Sequence, residues 1–370
     1  MKYLKRYNLI DFDFALVAMV IFLTTIGILA IGSADPGSQS KQIFGMVLGI
    51  GTMFFLSVLD YHWFIRFYIP MYIVNIVLLG LVLSPLGTNV NGAQRWISLL
   101  GIRFQPSESA KILLILFFSQ FIMKYKDKVK NLGFIIVCLA ILALPLGLIA
   151  LQPDLSTCIM VMIIFASIIF MAGIDWRIVV AVLGTAIPAA LFVIYNAING
   201  ESNLLHDYQQ RRILAWLHPE DFANSEAYQT LNSMMAIGSG QLYGKGYNTN
   251  EISSVLNGGF ISESQTDFIF TVIGEEFGFV GSCLVVALIM LISIRCFMIS
   301  SRTRDKAGEV IAAGVGGWIG FQGFLNIGVA TGVMPNTGIP LPFVSYGLTS
   351  LLSIYAAIGF VLNVRLSSTN

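Results

Sequence analysis

Charge is scarce in this chain: 21 Lys and Arg and 20 Asp and Glu make up only 11% of its 370 residues, where soluble domains carry about 25%. That shortage excludes an ordinary soluble domain. A net charge of +1, with the basic residues dispersed over short segments, excludes a nucleic-acid-binding face. Histidine is rarer still. His62, His206 and His218 lie far apart, without the spacing of a zinc site. The four cysteines, Cys138, Cys158, Cys283 and Cys296, all fall inside apolar runs, so they read as small core residues and not as a disulfide framework. No repeat of fixed period and no low-complexity linker is visible. "GSGQLYGKG" (238–246) misses the Walker pattern and has no strand before it, so it reads as a flexible turn.

Apolar surface is what the chain has in quantity: 56% of it is hydrophobic, and its mean hydropathy of +0.80 marks an integral membrane protein. Runs long enough for about 30 Å of hydrocarbon fall near 12–32, 43–59, 67–85, 109–123, 132–151, 155–173, 178–198, 267–294, 308–333 and 348–364. The expected fold is therefore all-α: one polytopic membrane domain, 1–370, of about ten transmembrane helices. A basic start before the apolar run and "AIGSAD" resembles a signal peptide, but the run is too long for one and reads as the first span. With the N-terminus inside, 14 of the 21 Lys and Arg fall on the cytoplasmic side, the sign of the positive-inside rule. Both termini are expected to be cytoplasmic.

Polar detail gathers on the outer side, in 86–108, in a large extracytoplasmic loop, 199–266, and in 334–347. Within the large loop "YQQRRILAWLHPE" and the spacing of Tyr228, Leu231 and Met235 predict two helices at the membrane surface. "MPNTGIPLPFVSYG" (334–347) holds three prolines and cannot be a regular helix. It is expected to be a re-entrant loop lining a pocket, because irregular backbone survives at membrane depth only inside protein or against water. "FQPSES" and "LQPDLS" echo each other, placing Ser107 and Asp154 as helix caps. Helices starting on this side turn their positive dipole ends outward, a rim suited to an anion.

Ionisable residues inside spans are costly and mark function by default. Here Arg95, Arg103, Glu108, Lys111, Asp154, Glu263 and Asp267 all lie toward the outer side. Glu108 and Lys111 are three apart on one helix and could pair. Asp267, at the first turn of an apolar helix, is a candidate general base on which burial and the helix N-terminus act in opposite senses. Arg103, Lys111, Arg211 and Arg212 could cradle a diphosphate. Asp154 and Glu263 could orient Asp267 or hold a divalent cation, Mg2+ or Mn2+. Glu275 and Glu276, about two turns beyond Asp267, are expected to brace neighbouring helices beneath the pocket.

The segments "NGAQRWI", "RFQPSESAK", "LQPDLST", "ESQTDFIFTVIGEEFGF" and "MPNTGIPLPFVSYG" resemble, in order and spacing, the signatures of the SEDS family of shape, elongation, division and sporulation proteins. The resemblance implies a peptidoglycan glycosyltransferase that polymerises lipid II onto a growing glycan strand at the outer face of the bacterial cytoplasmic membrane. It also implies a ten-helix fold and a single-span class B penicillin-binding protein as partner. The essential Asp of its "TDF" motif falls on Asp267, and that of its QPDLGT motif on Asp154. Its RFQPSE-x-x-K residues fall on Arg103, Gln105, Glu108 and Lys111, and with Ser345 of its "SYG" segment, Arg103, Gln105, Lys111, Asp154, Arg211 and Arg212 are expected to bind substrate. Ser156 and Leu348 replace glycines common in the family. Short ends look more like the RodA branch, active in elongation, than like FtsW. The alternatives are a lipid II flippase, which would have favoured repeats and midplane polar sites, and a non-catalytic scaffold.

Overall fold

The computed structural model describes residues 12–90, 93–99, 102–199, 207–248, 255 and 258–368. Lys2, Lys5 and Arg6, which bear on orientation, Asn91 and Gly92 of "NGAQRWI", and 200–206 and 249–254 of the long loop lie outside the described residues.

Helices occupy every expected span: α1 (Phe14–Ala34), α2 (Pro36–Val58), a short α3 (Tyr61–Ile65), α4 (Tyr68–Val82), α5 (Pro106–Lys124), α6 (Leu132–Ala150), α7 (Leu155–Ala172), α8 (Trp176–Asn199), α11 (Ile269–Arg302), α12 (Lys306–Ala330) and α13 (Leu348–Ser368). Among the described residues nine are long and apolar enough to cross a membrane, and α4 is the shorter tenth. Helix α2 starts seven residues before its apolar run, because Asp35 caps it by accepting from Gly37 N–H (3.1 Å) and Pro36 opens it. Between α8 and α11 lie the two helices read in the long loop, α9 (Asp207–Leu217) and α10 (Tyr228–Ser239).

Helix α12 is the centre of the bundle, packed on α5, α7, α11 and α13. Its small residues allow this: a Cβ on Gly314 would meet Ile115 and Ile168, and one on Gly323 would meet Ile289. By contrast, none of the described side chains of α8 is buried.

Two features depart from the sequence reading. A three-stranded antiparallel sheet, β1 (Gly87–Val90), β2 (Ala93–Leu99) and β3 (Ile102–Phe104), connects α4 to α5, so the helical fold carries one small β element. Helix α11 is also broken, at Gly278 (φ 65°, ψ −160°), a conformation that suits a residue without Cβ. The break orphans backbone groups on both sides, and 241–246 satisfies them. Lys245 and Gly246 N–H donate to Glu275 and Glu276 carbonyls (2.9 and 3.1 Å), while Phe279 and Val280 N–H donate to Gln241 and Leu242 carbonyls (2.8 and 3.2 Å). "GSGQLYGKG" is thus a clip over a helix break, not a flexible turn. Residues 279 to 302 alone extend about 36 Å at 1.5 Å per residue, enough to span, and 268 to 276 form a separate leg buried on all sides.

Glu275 and Glu276 sit at the end of this leg, beside the break that 241–246 covers, and their partners are the long loop and α1. Glu275 Oε1 accepts from Lys245 Nζ (2.8 Å) and Val255 N–H (2.9 Å), and Glu276 Oε1 accepts from Asn248 N–H (3.1 Å) and from Ser33 of α1. They brace the long loop and α1 against the buried leg.

A candidate active site around Asp267

Asp267 lies in the turn before α11, two residues ahead of Ile269, and not in its first turn; the cap residue is Phe268, with no side-chain capping bond. A mere capping role is therefore excluded. The polar face of α12 fixes the turn. Asn326 Nδ2 donates to the Asp267 carbonyl and to the Ile339 carbonyl, both at 2.7 Å. Gln322, one turn along, donates to the Pro340 carbonyl (2.8 Å). These bonds draw 334–347 down beside α12 to about 12 Å below its end, eight residues at 1.5 Å each. The segment carries no helix, and Ile339, Leu341, Phe343 and Val344 are buried.

Ser345 closes the arrangement. Its hydroxyl donates to the Thr266 carbonyl (2.6 Å) and accepts from Leu341 N–H (2.7 Å). This buried serine, expected from the sequence to bind substrate, spends its one proton inside the protein, and it positions the residue preceding Asp267. Gly338 packs against the carboxylate: a Cβ there, at φ +65°, would come within 3.3 Å of Asp267 Oδ2.

Among the described residues no donor bonds to the Asp267 carboxylate, which is partly open to solvent. Burial pushes its pKa up to about 6, assisted by the negative charge of Glu263 and opposed by Arg212 and Arg95. Desolvation thus outweighs the two arginines. Glu263 is held in the same turn, accepting from Thr266 Oγ1 (2.9 Å).

Asp154 caps α7, accepting from Thr157 N–H (3.2 Å) and Oγ1 (2.9 Å). Arg95 reaches it from β2: Nη1 is 4.0 Å from Asp154 Oδ1, and Nε donates to the Gln152 carbonyl (3.4 Å). Ser156 donates to the Thr337 carbonyl and ties α7 to the loop. Arg212 on α9 donates to the Asn336 carbonyl (3.2 Å). Arg211, also exposed, pairs with Glu226 (3.5 Å).

Several sequence assignments require correction. Lys111, placed in the cradle, is enclosed: its ammonium is 2.7 Å from Glu108, 3.0 Å from Gln322 Oε1 and 4.8 Å from the centre of the Trp318 ring, with 2% of its surface exposed. The second turn of α5 carries it into the bundle and away from any diphosphate. Ser107 does not cap α5; Gln105 occupies that position, its amide directed at Ser107 Oγ (3.2 Å). Arg103 is exposed on β3, and the arginines acting on Asp267 are Arg212 and Arg95. Arg95, named among the outer-side charges, has no role of its own in the sequence reading, because only the sheet turns it toward Asp154.

Among the described residues no three His, Cys, Asp or Glu side chains form a metal cage. Glu263 keeps Oε1, and Asp267 both oxygens, without a hydrogen bond among the described residues, so these two carboxylates are the most open to a cation bridging to a phosphate.

A family model described as cell cycle protein, covering FtsW, RodA and SpoVE, matches residues 8–370. Among curated relatives, the probable peptidoglycan glycosyltransferase FtsW of Trichlorobacter lovleyi is 32% identical over 97% of this chain and 94% of its own. The peptidoglycan glycosyltransferase MrdB of Escherichia coli K12 is 33% identical over 97% and 95%. Among solved structures, a chain of a peptidoglycan synthase complex described as coordinating polymerization and crosslinking aligns with TM-score 0.79 at 28% identity, over 96% of this chain and 98% of its own. The rod shape determining protein RodA of Thermus thermophilus aligns with TM-score 0.69 at 27% identity, over 97% and 98%. Relatives named for both branches match at 32% and 33% identity, which shows the family without separating its branches.

Proposed function

From its membership of the FtsW, RodA and SpoVE family of cell cycle proteins, to which this multi-pass membrane chain belongs, we infer that it is a peptidoglycan glycosyltransferase whose general base is Asp267. The substrate in this reading is lipid II, added to a growing glycan strand on the outer face of the bacterial cytoplasmic membrane, with both termini inside. The setting is cell elongation and shape maintenance. A single-span class B penicillin-binding protein is the partner that crosslinks the product, in keeping with the synthase complex that the chain resembles.

The observation that supports this most is the state of Asp267: a carboxylate with no bonded donor among the described residues, its backbone gripped by Asn326, and its pKa about 6. A base of that strength is largely ionised at neutral pH yet binds a proton readily, as general-base catalysis requires. In the reaction Asp267 takes the proton of the acceptor sugar's hydroxyl as that oxygen attacks the donor's anomeric carbon with inversion. The bond from that carbon to the lipid diphosphate breaks, and the leaving group keeps the electron pair. Arg212 and Arg95 supply positive potential at the site, where charge developing on the diphosphate is stabilised more than in water; Arg211 extends that potential toward solvent. A divalent cation is part of the proposal: Glu263 is the carboxylate that would hold it, and it would offset leaving-group charge.

Purified protein, supplied with lipid II in detergent and then with its transpeptidase partner, is expected to make glycan strands and release polyprenyl diphosphate. Transfer of lipid II across liposomes without strand growth would instead favour a flippase.

A further inference from the structure

Beside the Asp267 cluster, across Arg212, lies an open depression of about 310 Å3 whose walls include Arg212, Asn224, Glu226, Tyr228, Gln229 and Asn336. The reaction above uses only the arginine. Three carboxamides remain on the walls, each able to donate and accept, with one aromatic ring, Tyr228, 39% exposed. A volume near the lower end of the roughly 300–1,000 Å3 of small-ligand sites suits a sugar and not a lipid tail. Hydroxyls and an acetamido group are the partners that carboxamides match, and a tyrosine ring offers an apolar face beside its hydroxyl.

Two bonds tie the walls to the reacting turn. Gln229 Nε2 donates to Ser262 Oγ, at the start of the turn that carries Asp267. Arg212 holds Asn336, two residues before the Gly338 that abuts the carboxylate. The depression, walled mainly by Arg212 and 224–229, is thus bonded to the two segments that hold Asp267, 262–268 and 334–347.

We propose that this depression is a glycan subsite, holding an N-acetylated amino sugar of the substrate while Asp267 acts on the adjoining one; this rests on the glycosyltransferase reading. The test titrates a soluble N-acetylglucosamine tetramer into purified full-length protein, and measures KM and kcat with lipid II, for wild type, Tyr228→Ala, Tyr228→Phe and Gln229→Ala. The tetramer should bind wild type and Asp267→Asn alike. Tyr228→Ala and Gln229→Ala should weaken it by about tenfold, the scale of one lost contact, and raise KM similarly with little change in kcat, while Tyr228→Phe retains most of the affinity. Melting temperatures equal to wild type would assign the loss to the subsite. Tetramer binding by Tyr228→Ala and Gln229→Ala at wild-type strength, absence of binding to wild type, or equal binding of a glucose tetramer would overturn the proposal. Normal polymerisation by Asp267→Asn would sink the base assignment instead, a result the tetramer titration does not depend on.

Discussion

Asp267→Asn should lower kcat for glycan polymerisation by about 10²–10⁴-fold, the usual contribution of a positioned base, without lowering the melting temperature. The two halves of this expectation have separate causes. Activity falls because an amide cannot take the acceptor proton. Stability is spared because no described residue donates to the carboxylate that is lost, while the Asn326 bonds go to backbone carbonyls and survive. The sign of the charge effect agrees. An acid whose pKa rises from 3.8 to about 6 on folding binds more protons folded than unfolded between those values, so its ionisation costs stability as pH rises through that window. A neutral residue of the same shape removes that cost. Kinetics at saturating lipid II together with thermal unfolding in detergent check both halves, and a variant that melts well below wild type would mean the side chain is structural.

The second large effect is expected inside the bundle. Glu108→Gln leaves the Lys111 ammonium, which has 2% of its surface exposed, without its carboxylate partner at 2.7 Å. Stranding one member of a buried ion pair costs about 3–5 kcal/mol, a large part of a typical margin of stability. Activity should fall as well, because Lys111 bonds Gln322 Oε1 and Gln322 in turn holds Pro340 in the loop beside Asp267. Glu108→Gln combined with Lys111→Met should recover much of the stability, since removing both charges of a buried pair is often near neutral. Thermal unfolding of the two single variants and the double variant decides it. A Glu108→Gln protein as stable as wild type would show that the pair is not the buried device described here.

The bundle was legible in the sequence because a bilayer imposes length: about 20 apolar residues per helix leave a mark that hydropathy finds without knowing what touches what. Its limits show where a helix does not follow its apolar run. Asp35 and Pro36 start α2 in a polar stretch. Gly278 interrupts α11 inside a sequence that reads as continuous, because the groups repairing the break lie in 241–246. That long-range pairing also gives Glu275 and Glu276 their partners in the long loop, which spacing along the helix does not reveal.

The site was legible in its chemistry and less so in its register. Asp267, Asp154 and Glu263 were identified by residue type and motif, and Arg212 by its place in an amphipathic segment. Arg95 needed the sheet, whose one sequence signal was the Asn91-Gly92 pair typical of hairpin turns. Lys111 and Ser345 were misread because proximity to rim residues in sequence says nothing about which way a helix turn or a folded loop points. Both are enclosed, and both serve the placement of Asp267 indirectly.

The pH dependence of kcat/KM for lipid II polymerisation tests the central claim most directly, because it reports titration of the free enzyme, the state described here. The wild-type rate should fall on acidification with an inflection near 6, by about tenfold per pH unit well below it, and the residual activity of Asp267→Asn should lack that inflection. A rate constant flat between about pH 5 and 8, or the same inflection kept in the variant, would contradict a proton-accepting Asp267.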